Sequence, residues 1–164
     1  MKKVIYPGTF DPITNGHLDI INRVNTLSDS LVVAVAKNPT KDCFFSYDQR
    51  LDLVKKVTKS IKGIAVLGFD GLVIDFACQN KANAIIRGLR TMSDFEYEFK
   101  MALTNKSLAP GIETLFLMTH PQYSFISSHL IKEVALLGGD LNKFLPEPVL
   151  SAVNDKINEN YGGK

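Results

Sequence analysis

The sequence lacks the features that mark membrane, secreted and metal-binding proteins. No apolar run approaches the ~20 residues that cross a bilayer, and Pro7 and Gly8 break the first apolar stretch, so we expect no signal peptide. Cys43 and Cys78 are far apart and form no CxxC pattern, which indicates reduced thiols in a cytoplasmic protein. Three histidines without an HExxH motif or cysteine partners give no zinc signal, and we expect no metal held by the protein alone.

The sequence also has no large excess of positive or negative charge. The net charge is +2, which is too small to indicate a nucleic-acid partner. Apolar residues are 45% and charged residues 22% of the 164 residues, as expected for a globular chain with one core. No linker, repeat or low-complexity segment divides the sequence, so we predict a single domain over residues 1–164.

The two commonest phosphate-binding motifs are missing as well. There is no GxxxxGK[ST] segment, and no two glycines are separated by one residue, so GxGxxG is absent. A dinucleotide-dependent oxidoreductase is therefore disfavoured. A nucleotide site would have to use other devices, such as the free N–H groups at helix N-termini.

Apolar runs and helical patterns alternate along the chain. The runs 2–7, 31–36, 64–68, 82–87 and 114–118 are mostly apolar throughout, which indicates strands buried on both faces of a parallel sheet. Amphipathic stretches with capping signals lie between them, and another follows Pro146. The pattern predicts an α/β fold: one doubly wound, Rossmann-like domain with a five-stranded parallel sheet, helices on both faces and a C-terminal helix.

The loop that follows the first strand is a candidate phosphate site. The segment 6–17, YPGTFDPITNGH, has little side-chain bulk, and Thr14 or Asn15 can cap the next helix. His17 falls in its first turn, where the helix dipole favours the neutral imidazole, which can still donate to a phosphate oxygen. The alternative is a plain helix cap with a solvent-facing histidine, and the residues alone leave the two about equally favoured.

Two further segments carry donors or cations at the expected edge of the sheet. In YSFISSHLIK, 123–132, Ser127 or Ser128 can cap a helix whose first turn would hold His129 and Lys132, a placement that favours a bound anion. In IIRGLRTMSDFEYE, 85–98, we expect Arg87 to end a strand and Gly88 to turn.

Arg87 and Arg90 can bind phosphate bidentately. Surface ion pairs with Asp94 or Glu96 are the alternative. Lys37 and Lys41 follow the second strand, where a solvated loop charge is the simpler interpretation, and we expect the Phe95 and Phe99 stripe to be core.

These three segments resemble a known family. Thr14–His17 is similar to the [TH]xGH signature of nucleotidyltransferases, and FISSHLIK is similar to their ISSTxxR/K signature. Together with YPGTFDPITNGH and IIRGLRTMSDFEYE, they resemble bacterial phosphopantetheine adenylyltransferases over nearly the whole chain. The resemblance implies transfer of adenylyl from ATP to 4′-phosphopantetheine with Mg²⁺, giving dephospho-coenzyme A and pyrophosphate. It also implies a cytoplasmic homohexamer that coenzyme A inhibits by feedback.

The resemblance also implies roles for individual residues. His17 would be catalytic, stabilising the transition state. The substrate-binding residues would be Thr9, Lys41, Val73 and Arg87. The ATP-binding residues would be Thr9, Phe10, His17, Gly88, Leu89, Arg90, Glu98, Tyr123, Ser124, Phe125, Ile126, Ser127, Ser128 and His129. The family usually has a hydroxyl where His129 stands, so that contact is in question.

Two other functions remain possible from the sequence. One is another adenylyl- or cytidylyltransferase of the same superfamily, with nicotinamide mononucleotide or a polyol phosphate as acceptor; the acceptor-side residues Lys41, Val73 and Arg87 disfavour it. The other is a regulatory domain that binds ATP without chemistry, which the presence of His17 disfavours.

Overall fold

The structure is a computed structural model that describes residues 2–37 and 43–161. Strands and helices alternate within these residues. The strands are β1 (Lys3–Gly8), β2 (Ser30–Ala36), β3 (Ile64–Phe69), β4 (Ala84–Leu89) and β5 (Glu113–Met118). The helices are α1 (Asn15–Leu27), α2 (Tyr47–Thr58), α3 (Val73–Gln79), α4 (Met92–Leu108), α5 (Ser128–Leu136) and α6 (Glu147–Tyr161), with a 3₁₀ turn at Pro121–Tyr123.

The strands form one parallel sheet in the order β3-β2-β1-β4-β5. The predicted five-stranded parallel sheet is therefore confirmed. The sheet grows in one direction from β1 to β3 and in the other from β4 to β5. Such a reversal leaves a crevice beyond the carboxyl ends of the two central strands, here β1 and β4.

Both faces of the sheet are covered, as the continuous apolar strands predict. On one face, Val33 packs in a cluster with Ile21 of α1 and Val149 of α6. On the other face, the adjacent residue Val32 packs with Ile74 of α3. Successive side chains of a strand point to opposite faces, so a strand between two helical layers must be apolar at every position.

The predicted boundaries of the fourth strand are wrong. We expected a strand at 82–87 with a turn at Gly88, but β4 runs from Ala84 to Leu89. Gly88 lies opposite Leu117 in the β4–β5 register and makes no turn there. The extra pairing with β5 carries the strand two residues further, so Arg87 projects from the sheet and Arg90 begins the loop.

The expected core stripe on α4 is also wrong. Phe99 is 46% exposed, and Phe95 is only partly buried and packs against the rings of Phe99 and Phe116. The reason is the position of α4, which packs against β4 and the edge strand β5 and has an open outer side. No helix in the described part of the chain is long and apolar enough to cross a bilayer.

Candidate active site

A cleft of about 480 Å³ opens at the carboxyl ends of β1 and β4, where the sheet reverses. It brings together all three segments singled out from the sequence. The predicted site residues that line it are Thr9, Phe10, His17, Arg87, Gly88, Arg90, Ile126, Ser127, Ser128 and His129. The segments that carry His17 and the serines Ser127 and Ser128 are far apart in the sequence. Their side chains nevertheless line the same cleft, as the sequence interpretation requires.

The other predicted site residues do not line this cleft. Val73 starts α3 and packs against the opposite face of the sheet, and Leu89 is buried in the core. Glu98 does not line the cleft but pairs with Arg87, which does. The remaining three lie in the segment before α5, namely Tyr123, Ser124 and Phe125, and Lys41 lies outside the described residues. The roles of all these residues stay predictions.

His17 is the third residue of α1 and completes its N-terminal cap. The Thr14 hydroxyl accepts from the His17 backbone N–H, and the Thr14 backbone N–H donates to His17 Nδ1 at 3.0 Å. A glutamate or glutamine usually occupies this position of a capping box. Since Nδ1 accepts a hydrogen bond, the ring proton resides on Nε2, the nitrogen on the other side of the imidazole.

The His17 imidazole is held neutral. Burial, and to a lesser extent the positive charge of Arg90, lowers the pKa of His17 from 6.5 to about 4. The neutral form expected from the helix dipole is thus confirmed, although burial is the main cause. At neutral pH the ring offers a single donor, Nε2–H, without carrying a charge.

Phe10 fixes the shape of the loop in front of His17. Its backbone has φ 50°, an uncommon conformation for a residue with a side chain. Its ring is buried and packs edge-on against His17, with ring centroids 5.2 Å apart. A Cβ on Gly8 would lie 2.8 Å from that ring. Glycine at position 8 therefore lets the phenyl ring occupy the place that orients the imidazole.

Both arginines pair with carboxylates on α4. Arg87 donates through two nitrogens to Glu98, including Nε to Oε2 at 2.6 Å, and Arg90 binds both oxygens of Asp94. Burial alone would raise the pKa of Asp94, but the hydrogen bonds and charge of Arg90 outweigh it and lower that pKa. The ion pairs considered from the sequence thus form, with Glu98 in place of Glu96 for Arg87, while both arginines still line the cleft.

The N-terminus of α5 forms the opposite wall. Ser127 is the N-cap and accepts from the Leu130 N–H at 3.0 Å, while the Ser128 hydroxyl donates to the Pro12 carbonyl. Lys132 lies in the second turn, not in the first as expected, and its ammonium pairs with Asp11 at 3.1 Å. Asp11 therefore supplies the counter-charge for which we had expected a bound anion.

Comparison with known proteins identifies the family. Residues 5–134 match the model of the cytidylyltransferase-like family. A phosphopantetheine adenylyltransferase of Clostridium botulinum (strain Langeland) is 51% identical over 158 residues, which is 96% of each chain. The chain belongs to the phosphopantetheine adenylyltransferase family. A second member of this family, from Caldanaerobacter subterraneus subsp. tengcongensis, is 52% identical over 157 residues, covering 96% of this chain and 98% of that one.

A solved structure of another protein supports the fold of this phosphopantetheine adenylyltransferase family member. That structure is of a Vibrio parahaemolyticus protein provisionally assigned as a nicotinate-nucleotide adenylyltransferase. The two structures superpose with a TM-score of 0.67, over 94% of this chain and 99% of that one. At 17% identity the likeness concerns the fold alone. The predicted Rossmann-like class is confirmed.

Asp11 is a residue of the adenylyltransferase cleft that sequence reasoning missed. It is 5% exposed, and its carboxylate accepts from the backbone N–H groups of Phe44 and Phe45, each at 2.8 Å, in addition to its pair with Lys132. It thereby ties together the first loop, the segment before α2, and α5. The residue belongs to the quoted first loop, but nothing in the sequence indicated its partners.

Arg50 is the second residue that sequence reasoning missed. It is 1% exposed and donates to four backbone carbonyls, those of Thr9, Ala36, Lys37 and Phe45, at 2.6 to 3.3 Å. Among the described residues, no carboxylate is close enough for an ion pair. One guanidinium thus fixes the chain where it leaves β1 and β2. A signal was available, because Arg50 falls on the apolar face of α2 with Leu53 and Val54.

Proposed function

We propose that this protein transfers the adenylyl group of ATP to 4′-phosphopantetheine, releasing pyrophosphate and forming dephospho-coenzyme A, a step of coenzyme A biosynthesis. The observation that carries the proposal is the convergence of His17, the two strand-end arginines and the N-terminus of α5 on one cleft. The names of the relatives, which are about half identical over nearly their full length, support these substrates.

The chemistry needs positioning and charge stabilisation more than acid–base catalysis. The acceptor is a phosphate monoester, largely dianionic at neutral pH because its second pKa is about 6. A phosphate oxygen attacks the α-phosphorus of ATP, and pyrophosphate leaves in line, with no covalent enzyme intermediate. The protein must hold two anions together and donate hydrogen bonds to the charge that develops.

His17 is the donor to the α-phosphate in this proposal. Its Nε2–H faces away from the cap, while Nδ1 is held by the Thr14 N–H at 3.0 Å. A neutral donor that is fixed before the substrate binds needs no reorganisation as the transition state forms. The hydroxyl and N–H groups at the start of α5 lie across the cleft and hold the triphosphate, where the helix dipole favours negative charge.

The acceptor phosphate binds at Arg87, with Thr9 and Lys41 as further ligands and Val73 beside the pantetheine arm. Arg87 has five N–H donors, and those that bond Glu98 and the Pro7 carbonyl leave others for a phosphate. Glu98 holds the planar guanidinium in place, which favours bidentate binding.

On the nucleotide side, Thr9, Phe10, Gly88, Leu89, Arg90 and Glu98 form the ATP site together with the segment 123–129. Mg²⁺ enters as the ATP complex, because this ion is usually held by substrate phosphates and water with few protein ligands. Among the described residues, no group of three or more His, Cys, Asp or Glu side chains has the arrangement of a metal site.

We further propose a cytoplasmic homohexamer over residues 1–164 that is inhibited by coenzyme A. The exposed apolar side of α4 and β5, which includes Phe99, Leu103, Leu115 and Met118, supports assembly through that side. The hexamer and the inhibition otherwise rest on the family resemblance.

The test is a pyrophosphate-release assay with Mg²⁺ and ATP against a panel of phosphorylated acceptors. We expect release with 4′-phosphopantetheine and little with nicotinamide mononucleotide, nicotinate mononucleotide or glycerol 3-phosphate. Preference for one of the other acceptors would favour another transferase of the superfamily. ATP binding without release on any acceptor would favour a regulatory domain.

A further inference from the structure

Tyr6 is a buried residue of the cleft that the proposed reaction leaves without a role. It lies in β1, its ring packs edge-on against Phe10 with centroids 5.7 Å apart, and only 6% of the residue is exposed. It nevertheless contributes to the lining of the cleft. Such a residue can place a polar group at the floor of a site while its ring stays in the core.

The hydroxyl of Tyr6 has no hydrogen-bond partner among the described residues. Every fully buried side-chain nitrogen or oxygen in that part of the chain does have a partner. The Tyr6 hydroxyl must therefore be open to the cleft and not sealed in the core. It lies next to Gly88, where an added Cβ would be 3.4 Å from Oη. A hydroxyl that faces the cleft and is taken up by no described residue is available to a ligand that enters the cleft.

The charges around this hydroxyl favour an anionic ligand. Burial raises the pKa of Tyr6 well above its ordinary value, although the positive charges of Arg87 and Arg90 lower it in part; Glu98 and Asp19 add smaller increases. The phenol therefore keeps its proton at every working pH and acts as a donor. The donors of both arginines and of His17 line the same cleft, so the ligand that they share is negatively charged.

We propose that the Tyr6 hydroxyl donates a hydrogen bond to a phosphate oxygen of the bound substrates at the floor of the cleft, beside Gly88. The inference rests on the proposed function, since that function supplies the phosphates. Both ATP and 4′-phosphopantetheine carry such oxygens, and separate binding measurements distinguish them.

The substitution Tyr6→Phe removes one oxygen atom and keeps the ring. Because no described residue pairs with the hydroxyl, we expect the thermal midpoint to stay the same or rise slightly. Binding is measured by calorimetry, with MgATP and with 4′-phosphopantetheine in separate titrations. We expect Kd for one of them to increase about 10-fold or more, as for the loss of a hydrogen bond to a charged group.

The matched control is Tyr97→Phe, the same change on an exposed side chain outside the cleft. It should alter neither Kd. Wild-type affinity of Tyr6→Phe for both probes would overturn the inference, as would a lower thermal midpoint with unchanged binding, which would indicate a structural hydroxyl. If the wild-type protein itself bound neither probe, the proposed function would fail and this inference with it.

Discussion

The substitution His17→Gln separates the two roles that the structure gives to one imidazole. In a capping box the third helical residue is ordinarily glutamate or glutamine, so a glutamine oxygen can accept from the Thr14 N–H as Nδ1 does now. We expect the variant to fold with nearly unchanged stability at neutral pH. It replaces the imidazole Nε2–H, which is fixed by a rigid ring, with an amide N–H₂ on a more flexible side chain. We expect turnover to fall by roughly 10²-fold or more if the histidine contact forms mainly in the transition state and needs that fixed position.

The same variant tests the neutral imidazole through the pH dependence of stability. The folded-state pKa of His17 is about 4, below the unfolded value of 6.5. The unfolded chain therefore binds more protons between these values. The contribution of the neutral His17 to the free energy of unfolding is therefore fully present above pH 6.5 and is lost as the pH falls toward 4. Between pH 7 and pH 5 this single group should cost the wild-type protein about 2 kcal/mol.

The assay is urea unfolding of both proteins at the two pH values and at one protein concentration. Carboxylates titrate in both proteins, so the difference between their losses isolates His17. We expect the wild-type loss to exceed that of His17→Gln by about 2 kcal/mol. Equal losses, within about 0.5 kcal/mol, would refute a desolvated neutral imidazole.

Three further substitutions test the contacts that hold the cleft in shape, and each is checked by measuring the free energy of unfolding. Arg50→Lys keeps the charge but cannot span four carbonyls, and should cost about 1–3 kcal/mol; a loss near zero would contradict the bridging role. Asp11→Asn should cost about 2–4 kcal/mol, because it weakens the contacts that join the first loop to α5 and to the segment before α2. Its control is Asp52→Asn, in an exposed ion pair, which should cost under about 1 kcal/mol; similar losses for the two variants would argue against this joining role of Asp11. Gly8→Ala, which meets the buried phenyl ring, should cost about 1–3 kcal/mol, whereas Gly111→Ala has open space and should change stability by about 0.5 kcal/mol or less, so equal effects would contradict the close packing.

The sequence predicted the sheet and the meeting of the three segments because both follow from local signals. Apolar runs at every position indicate buried parallel strands, and the carboxyl ends of such strands share one edge. The strand ends were less predictable. Gly88 reads as a turn from the sequence alone, yet it pairs with Leu117 of the neighbouring strand.

The residues that brace the cleft depend on contacts distant in sequence. Asp11 binds two N–H groups more than thirty positions away and a lysine on α5. Arg50 is a charged residue on the apolar face of its helix, and only the carbonyls around it explain its burial. The sequence could not show that the phenyl rings of α4 lie outside the core. Amphipathic spacing indicates that a helix has an apolar face, but not whether another element packs against that face.

Adenylyl transfer to 4′-phosphopantetheine is tested most directly by following the oxygen atoms of the acceptor. The protein is mixed with MgATP and 4′-phosphopantetheine whose terminal phosphate oxygens carry ¹⁸O, and the products are examined by mass spectrometry. We predict that dephospho-coenzyme A retains the whole label and that pyrophosphate carries none, because an acceptor oxygen attacks the α-phosphorus directly. Label in pyrophosphate, or unlabelled AMP formed in place of dephospho-coenzyme A, would contradict adenylyl transfer to this acceptor.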